Sequence, residues 1–188
     1  LMLKRDAFAR ILAAGGEVRL TVALDRHTSP AWNLVGRIPA GASTDGAAPR
    51  LPGAVLLGAH YDHLGMGGEG SLTPGESLPH NGADDNASGT AALLEVARTL
   101  LERRGELRRD VVLVAFSGEE SGVLGSTAFT RQPPPASAPA DLVAMINMDM
   151  VGRLRENRLT VLGSDSAAEW NEMVPPLCAT LGLDVRRT

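Results

Sequence analysis

Three short, nearly unbroken apolar runs constrain this chain most: Ala54–Tyr61 (AVLLGAHY), Val111–Phe116 (VVLVAF) and Leu142–Met148 (LVAMINM). A strand with one face in water alternates polar and apolar residues, so runs of this kind fit strands covered on both faces. Arg158–Leu162 reads as a fourth strand. Between and after these runs the pattern turns helical. Asn86–Arg104 carries an apolar face of Leu93, Leu94, Val96, Ala97, Leu100 and Leu101, with Gly105 as its terminator. Gly122–Thr130 and Ala167–Leu181 read as shorter helices. Buried strands separated by helices imply an α/β sheet with helices on both faces.

The remaining segments read more simply. Lys4–Ala14 fits a short helix ended by Gly15-Gly16, and Glu17–Leu24 alternates as a half-buried strand does. Ala31–Ile38 reads as another strand. Pro39–Pro52, Gly65–Pro79 and the Pro-rich RQPPPASAPA segment read as loops. The 188 residues suffice for a real core, and the net charge of −4 argues against a general nucleic-acid binder, since no basic excess exists to neutralise phosphates. The single cysteine, Cys178, rules out an internal disulfide and reads as a core residue of the last helix. No apolar run approaches the roughly 20 residues that span a bilayer.

In α/β sheets of this type ligands bind beyond the carboxyl ends of the strands. The first run ends in His60-Tyr61-Asp62, and a strand period of two puts His60 and Asp62 on one side. A metal-bound imidazole usually gives its other N–H to a carboxylate, although a strand-end histidine with an incidental aspartate looks the same. Ahead of the long helix stand Asp84-Asp85. Carboxylates there serve equally as helix caps or as a bridge between two cations. The second run leads to Glu119-Glu120, whose side chains point to opposite sides in extended backbone. One can bind metal while the other acts as general base toward a metal-activated water. Asp149 sits in the apolar stretch MINMDMV, where a lone carboxylate is costly unless paired or bound to metal. Together, one histidine and several carboxylates gather at successive strand ends, a ligand set that suits zinc.

The blocks AHYDH, GADDNASG, FSGEESGVLGS and NMDMVGR, in that order, resemble the co-catalytic di-zinc aminopeptidase family, whose relatives include glutamate carboxypeptidase and glutaminyl cyclases. The resemblance runs from about Trp32 to the end of the chain. It implies a zinc-dependent exopeptidase fold, a mixed and mainly parallel sheet sandwiched between helices, over residues 1–188. It also implies a zinc ligand at His60 with Asp62 as its orienting partner, and Asp85 as the carboxylate bridging two zincs through a cis bond to Asn86. Glu119 then corresponds to the general base, Glu120 to a ligand of the second zinc and Asp149 to the partner of His60 on the first.

The family's second zinc takes a further histidine from downstream of the Asp149 block. His27, His60, His63 and His80 all lie upstream of it. The reading is therefore of a C-terminally truncated chain with three protein ligands for the first zinc and two for the second, so one zinc or none is an expected occupancy. His63 and His80 read as loop or pocket-lining residues able to substitute for the missing ligand. Residues 1–30 resemble the re-entry segment that follows an inserted protease-associated domain in longer members.

What the resemblance implies is hydrolysis of N-terminal residues from peptides. Carboxypeptidase or glutaminyl cyclase action on the same fold, or a non-catalytic relative, are the alternatives. The substrate is then a peptide, and an exported location, periplasmic, extracellular or membrane-anchored, is what family analogy gives. Three other patterns carry no chemistry. Gly65, Gly67 and Gly70 match a dinucleotide-binding spacing, but Ser71–Gly75 follows instead of a helix. Asn86-Ala87-Ser88 matches a glycosylation sequon inside the proposed site. His27 and Trp32 carry no signal.

Overall fold

Two parallel strands, β2 (Ala54–His60) and β3 (Asp110–Phe116), form the centre of the computed structural model, paired from Ala54↔Asp110 to His60↔Phe116. The structure describes residues 5–187 apart from 16–18, 20, 24, 26, 27, 42–48, 69 and 136–140. β1 (Leu34–Ile38) lies antiparallel to β3, and β4 (Leu142–Asn147) runs parallel to β2, giving the order β1-β3-β2-β4. The sheet is thus mixed and mainly parallel.

The period of two divides the central strands between two clusters. Leu57, Ala59 and Val111 face α2 (Gly89–Glu102), which contributes Leu93, Val96, Ala97 and Leu100. Leu56, Val112, Val114 and Phe116 face the other way, toward Phe129 of α3 (Leu124–Arg131). Phe116 and Phe129 meet edge to face, 5.8 Å between centroids. Helices therefore cover both faces, as the continuous apolar runs require.

Several details differ from expectation. β4 was expected to be covered on both faces, yet Val143, Met145 and Ile146 are 52%, 47% and 44% exposed. It is an edge strand of the sheet, with β2 as its one strand neighbour among the described residues. β5 (Arg158–Val161) is not a further strand of the main sheet. It pairs in parallel with β6 (Asp184–Arg187), which the sequence reading left unassigned, and α4 (Ala168–Thr180) connects the two. The long helix begins at Gly89 rather than Asn86, because Asp85 and Asn86 have non-helical backbone angles. It ends at Glu102, and Gly105 falls within a short 3-10 turn, Arg104–Glu106, instead of terminating it.

Residues Leu1–Pro30 form a separate unit from Ala31–Thr188. Its described element is α1 (Arg5–Ala14), with no buried residue. Of the strand expected over Glu17–Leu24, residues 17, 18, 20 and 24 lie outside the described set, and the others form no strand. No described helix is long and apolar enough to cross a membrane.

Candidate metal centre

The sheet register builds the site. β2 and β4 are in step at Gly58↔Asn147, and two residues beyond that pair stand His60 and Asp149. His60 Nε2 lies 3.3 Å from Asp149 Oδ1 and 3.2 Å from Asp85 Oδ1. The ring's other nitrogen, Nδ1, donates to the carbonyl of Asp62 at 3.1 Å. With that N–H committed, Nε2 presents a lone pair to two carboxylates, which only accept. Three acceptors facing one another call for a cation between them. Tetrahedral zinc, with bonds of about 2.0–2.2 Å, sets adjacent donors roughly 3.3–3.6 Å apart, close to the spacing seen. The donor set fits a metal. Burial opposes a charge on the His60 ring, but the fields of Asp149 and Glu119 and the bond to Asp62 outweigh it and raise its pKa above the usual value. A site that attracts a proton in this way attracts a metal cation for the same reason.

Asp85 reaches this point from a wide turn, Ala83–Ser88, and its peptide bond to Asn86 is cis, the geometry the resemblance implies. The turn needs Gly82. Its φ is +62°, and a Cβ there would lie 2.9 Å from both the Asp85 carbonyl oxygen and His63 Cγ. Asn86 is 1% exposed, and its amide joins three segments. Nδ2 donates to the Met148 carbonyl, while Oδ1 accepts from the N–H groups of Gly89 and Met150. Asp84 accepts from Gly152 N at 2.9 Å and Arg153 Nε at 2.6 Å. The turn and the segment carrying Asp149 are thereby tied together on both sides of Asp149.

The third contribution follows β3. The Asp62 carboxylate accepts from the backbone N–H groups of Glu119 and Glu120 at 3.1 and 3.3 Å, while its Oδ1 lies 3.7 Å from His60 Nδ1. Asp62 therefore meets His60 through its carbonyl and the glutamate pair through its carboxylate. Burial raises the pKa of Glu119; His60 pulls it down, and Glu120, Asp149 and Asp62 push it up, for a net rise. Glu119 lines a cavity of about 220 Å³ with His60, Asp149, Phe116, Val123 and Met145. Val123 holds φ +51°, a conformation uncommon for a β-branched residue.

His60, Asp62, Asp85, Glu119, Glu120 and Asp149 are thus brought to one end of the sheet. Two donor groups share Asp85: His60–Asp85–Asp149 and His63–Asp85–Glu120. The sequence reading placed His63 among loop or pocket-lining residues able to substitute for the missing histidine, and here it stands with Asp85 and Glu120. Its Nδ1 is 2.6 Å from Glu120 Oε1. His80 joins neither group; it bonds the Ser71 hydroxyl at 3.0 Å. Arg153 was passed over, and Asp84 and Asn86 were named without the partners that tie them to the segment carrying Asp149. A polar Asn-and-Asp turn facing an Arg after the third apolar run is the signal that could have revealed the tie. Cys178 is buried in α4, and His27 lies outside the described residues.

Comparison with known proteins gives a consistent picture. A family model described as Peptidase family M28 matches residues 33–186. Leucine aminopeptidase 1 of Trichoderma harzianum is 32% identical over 143 residues, covering 74% of this chain and 32% of that protein. The chain thus spans about a third of the length of this curated relative. Among solved structures, a glutaminyl cyclase from Tannerella forsythia superposes with a TM-score of 0.59 at 23% identity, over 83% of this chain and 56% of that one. A leucine aminopeptidase precursor from Bacteroides thetaiotaomicron gives 0.58 at 21% identity, over 83% and 57%. At these identities the structural likeness speaks for the fold.

Proposed function

This chain belongs to peptidase family M28, and from that premise we propose that it carries the catalytic site of a zinc-dependent aminopeptidase acting on peptide N-termini. The observation that carries the reading is Asp85, a carboxylate shared by two donor groups at the strand ends with Glu119 beside them. His60, Asp85 and Asp149 would hold one zinc, and Asp85 and Glu120 would hold a second. Bound zinc supplies Lewis acidity toward the scissile carbonyl and lowers the pKa of water.

The protein's own groups do the rest. Glu119 takes a proton from the attacking water and returns it to the leaving amine. In the metal-free protein its pKa stands above the usual carboxylate value, which makes it a stronger base toward that water. Asp62 holds the Glu119 and Glu120 backbone in place through their N–H groups. Phe116, Val123 and Met145 give the adjoining cavity an apolar lining.

Two measurements test this. Aminoacyl p-nitroanilides with a free α-amino group should be cleaved and their N-acetylated forms left intact. Cleavage of both, or cyclisation of N-terminal glutamine without hydrolysis, would overturn the aminopeptidase reading. Glu119→Gln should lower kcat by about 10²–10⁴-fold while zinc stays bound. Retained turnover in that variant removes Glu119 from the base role.

A further inference from the structure

We propose that His63 is a positioning residue that fixes the Glu120 carboxylate for the second metal, an inference resting on the reading of Glu120 as a ligand. The argument is one of spacing. His60 Nε2 stands 3.2 and 3.3 Å from its two carboxylates, room for a metal ion between donors. His63 Nδ1 stands 2.6 Å from Glu120 Oε1. Two donors of one tetrahedral zinc would have to spread by about 0.7 Å from that separation. A separation this short suits a charge-assisted N–H···O⁻ bond. A carboxylate only accepts, so Nδ1 carries the hydrogen and Oε1 receives it.

His63 is built to make that bond. It follows β2 by three residues, and its ring packs against the backbone at Gly82, where a Cβ would lie 2.9 Å from Cγ. The ring of His80 stands edge-on at 6.2 Å. The His63 and Glu120 side chains are 21% and 20% exposed, shielded enough for the bond to hold one orientation. Glu120 is then constrained twice, by its backbone N–H on Asp62 and by its carboxylate on His63. A ligating carboxylate held in this way gives up less freedom when metal binds, and loss of such a partner typically weakens metal affinity by about 10–100-fold.

The test is a zinc titration of the purified protein against a competing chelator, repeated with cobalt for its visible absorption, on wild type, His63→Ala, His63→Gln and Glu120→Ala. Wild type should take up two zinc ions, and a single event would overturn the proposal; His63→Ala should weaken the second by about 10–100-fold and leave the first within about twofold, which also shows the variant is folded. His63→Gln, whose amide N–H can still donate, should recover most of the loss and keep the cobalt spectrum of wild type. Equal loss in His63→Ala and His63→Gln with an altered spectrum would make the imidazole a ligand and overturn the proposal. So would unchanged affinity in His63→Ala. If Glu120→Ala itself leaves the second event intact, the ligand role of Glu120 fails and the proposal fails with it; loss in Glu120→Ala but not in His63→Ala isolates the failure to His63.

Discussion

Gly82 shows how a single residue can govern the centre. It has φ +62°, and any Cβ meets the Asp85 carbonyl and His63 together. The left-handed conformation alone costs an L-residue about 1–2 kcal/mol. Gly82→Ala is therefore expected to lower Tm by several degrees, at about 2–4 °C per kcal/mol for a chain of this size, and to weaken metal binding in parallel. Calorimetry with and without chelator measures both; a variant equal to wild type in each would mean the turn tolerates a side chain. The site's own residues were legible to different degrees. His60, the last residue of β2, could be placed by strand periodicity, and Asp149 by the cost of a lone carboxylate in an apolar stretch. His63 could not, because it lies past the strand end, where a period of two no longer dictates direction. Nor could spacing decide between Asp84 and Asp85, adjacent and chemically equal; only the resemblance selected Asp85. The structure separates them by partner, Asp84 to Arg153 and Asp85 to His60.

Among the elements, the link that matters most joins the Ala83–Ser88 turn to the segment after β4. Asp84 accepts from Gly152 N and Arg153 Nε, and Ser88 Oγ accepts from Val151 N. Asp84→Ala removes the acceptor at the centre of this tie and should weaken the first metal site by about 10–100-fold, the usual range for partners that orient ligands. Arg153→Ala removes one exposed ion pair and should cost much less, within about threefold. Zinc titration of the two variants checks the ordering, and equal effects would mean the tie acts through charge rather than position. The central elements themselves were readable because both faces of β2 and β3 are buried, which produces continuous apolar runs. β4 has the same kind of sequence but one strand neighbour among the described residues, so its apolar pattern alone does not reveal its exposure. β6 was missed because Asp184–Arg187 is short and mostly charged and, among the described residues, pairs only with β5.

Across the Ala31–Thr188 unit, stability and chemistry sit at opposite ends of the sheet. The carboxyl ends of β2, β3 and β4 gather the carboxylates of the candidate metal centre, whereas β3 begins at Asp110, which ties together the other end. Asp110 accepts from Ala40 N and from the guanidinium groups of Arg37 and Arg50. Burial alone would raise its pKa, but these donors outweigh burial and hold it below the ordinary carboxylate range. A folded pKa below the unfolded one means that the ionised form favours folding. The stabilisation is complete above the unfolded value, about 3.9, and fades as pH falls below it toward the folded value. Asp110→Asn keeps an acceptor for Ala40 but loses the charge. Because Arg37 and Arg50 are 43% and 50% exposed, the loss is expected to be modest, about 1–2 kcal/mol near neutral pH. Denaturant unfolding of chelated wild type and variant between pH 7 and 3 isolates this group, since metal release in acid then plays no part. The gap should hold steady down to about pH 5 and narrow toward pH 3. A gap of the same size at pH 3 would mean that Asp110 acts through shape and hydrogen bonding rather than charge, and that the far end of the sheet is held independently of its ionisation.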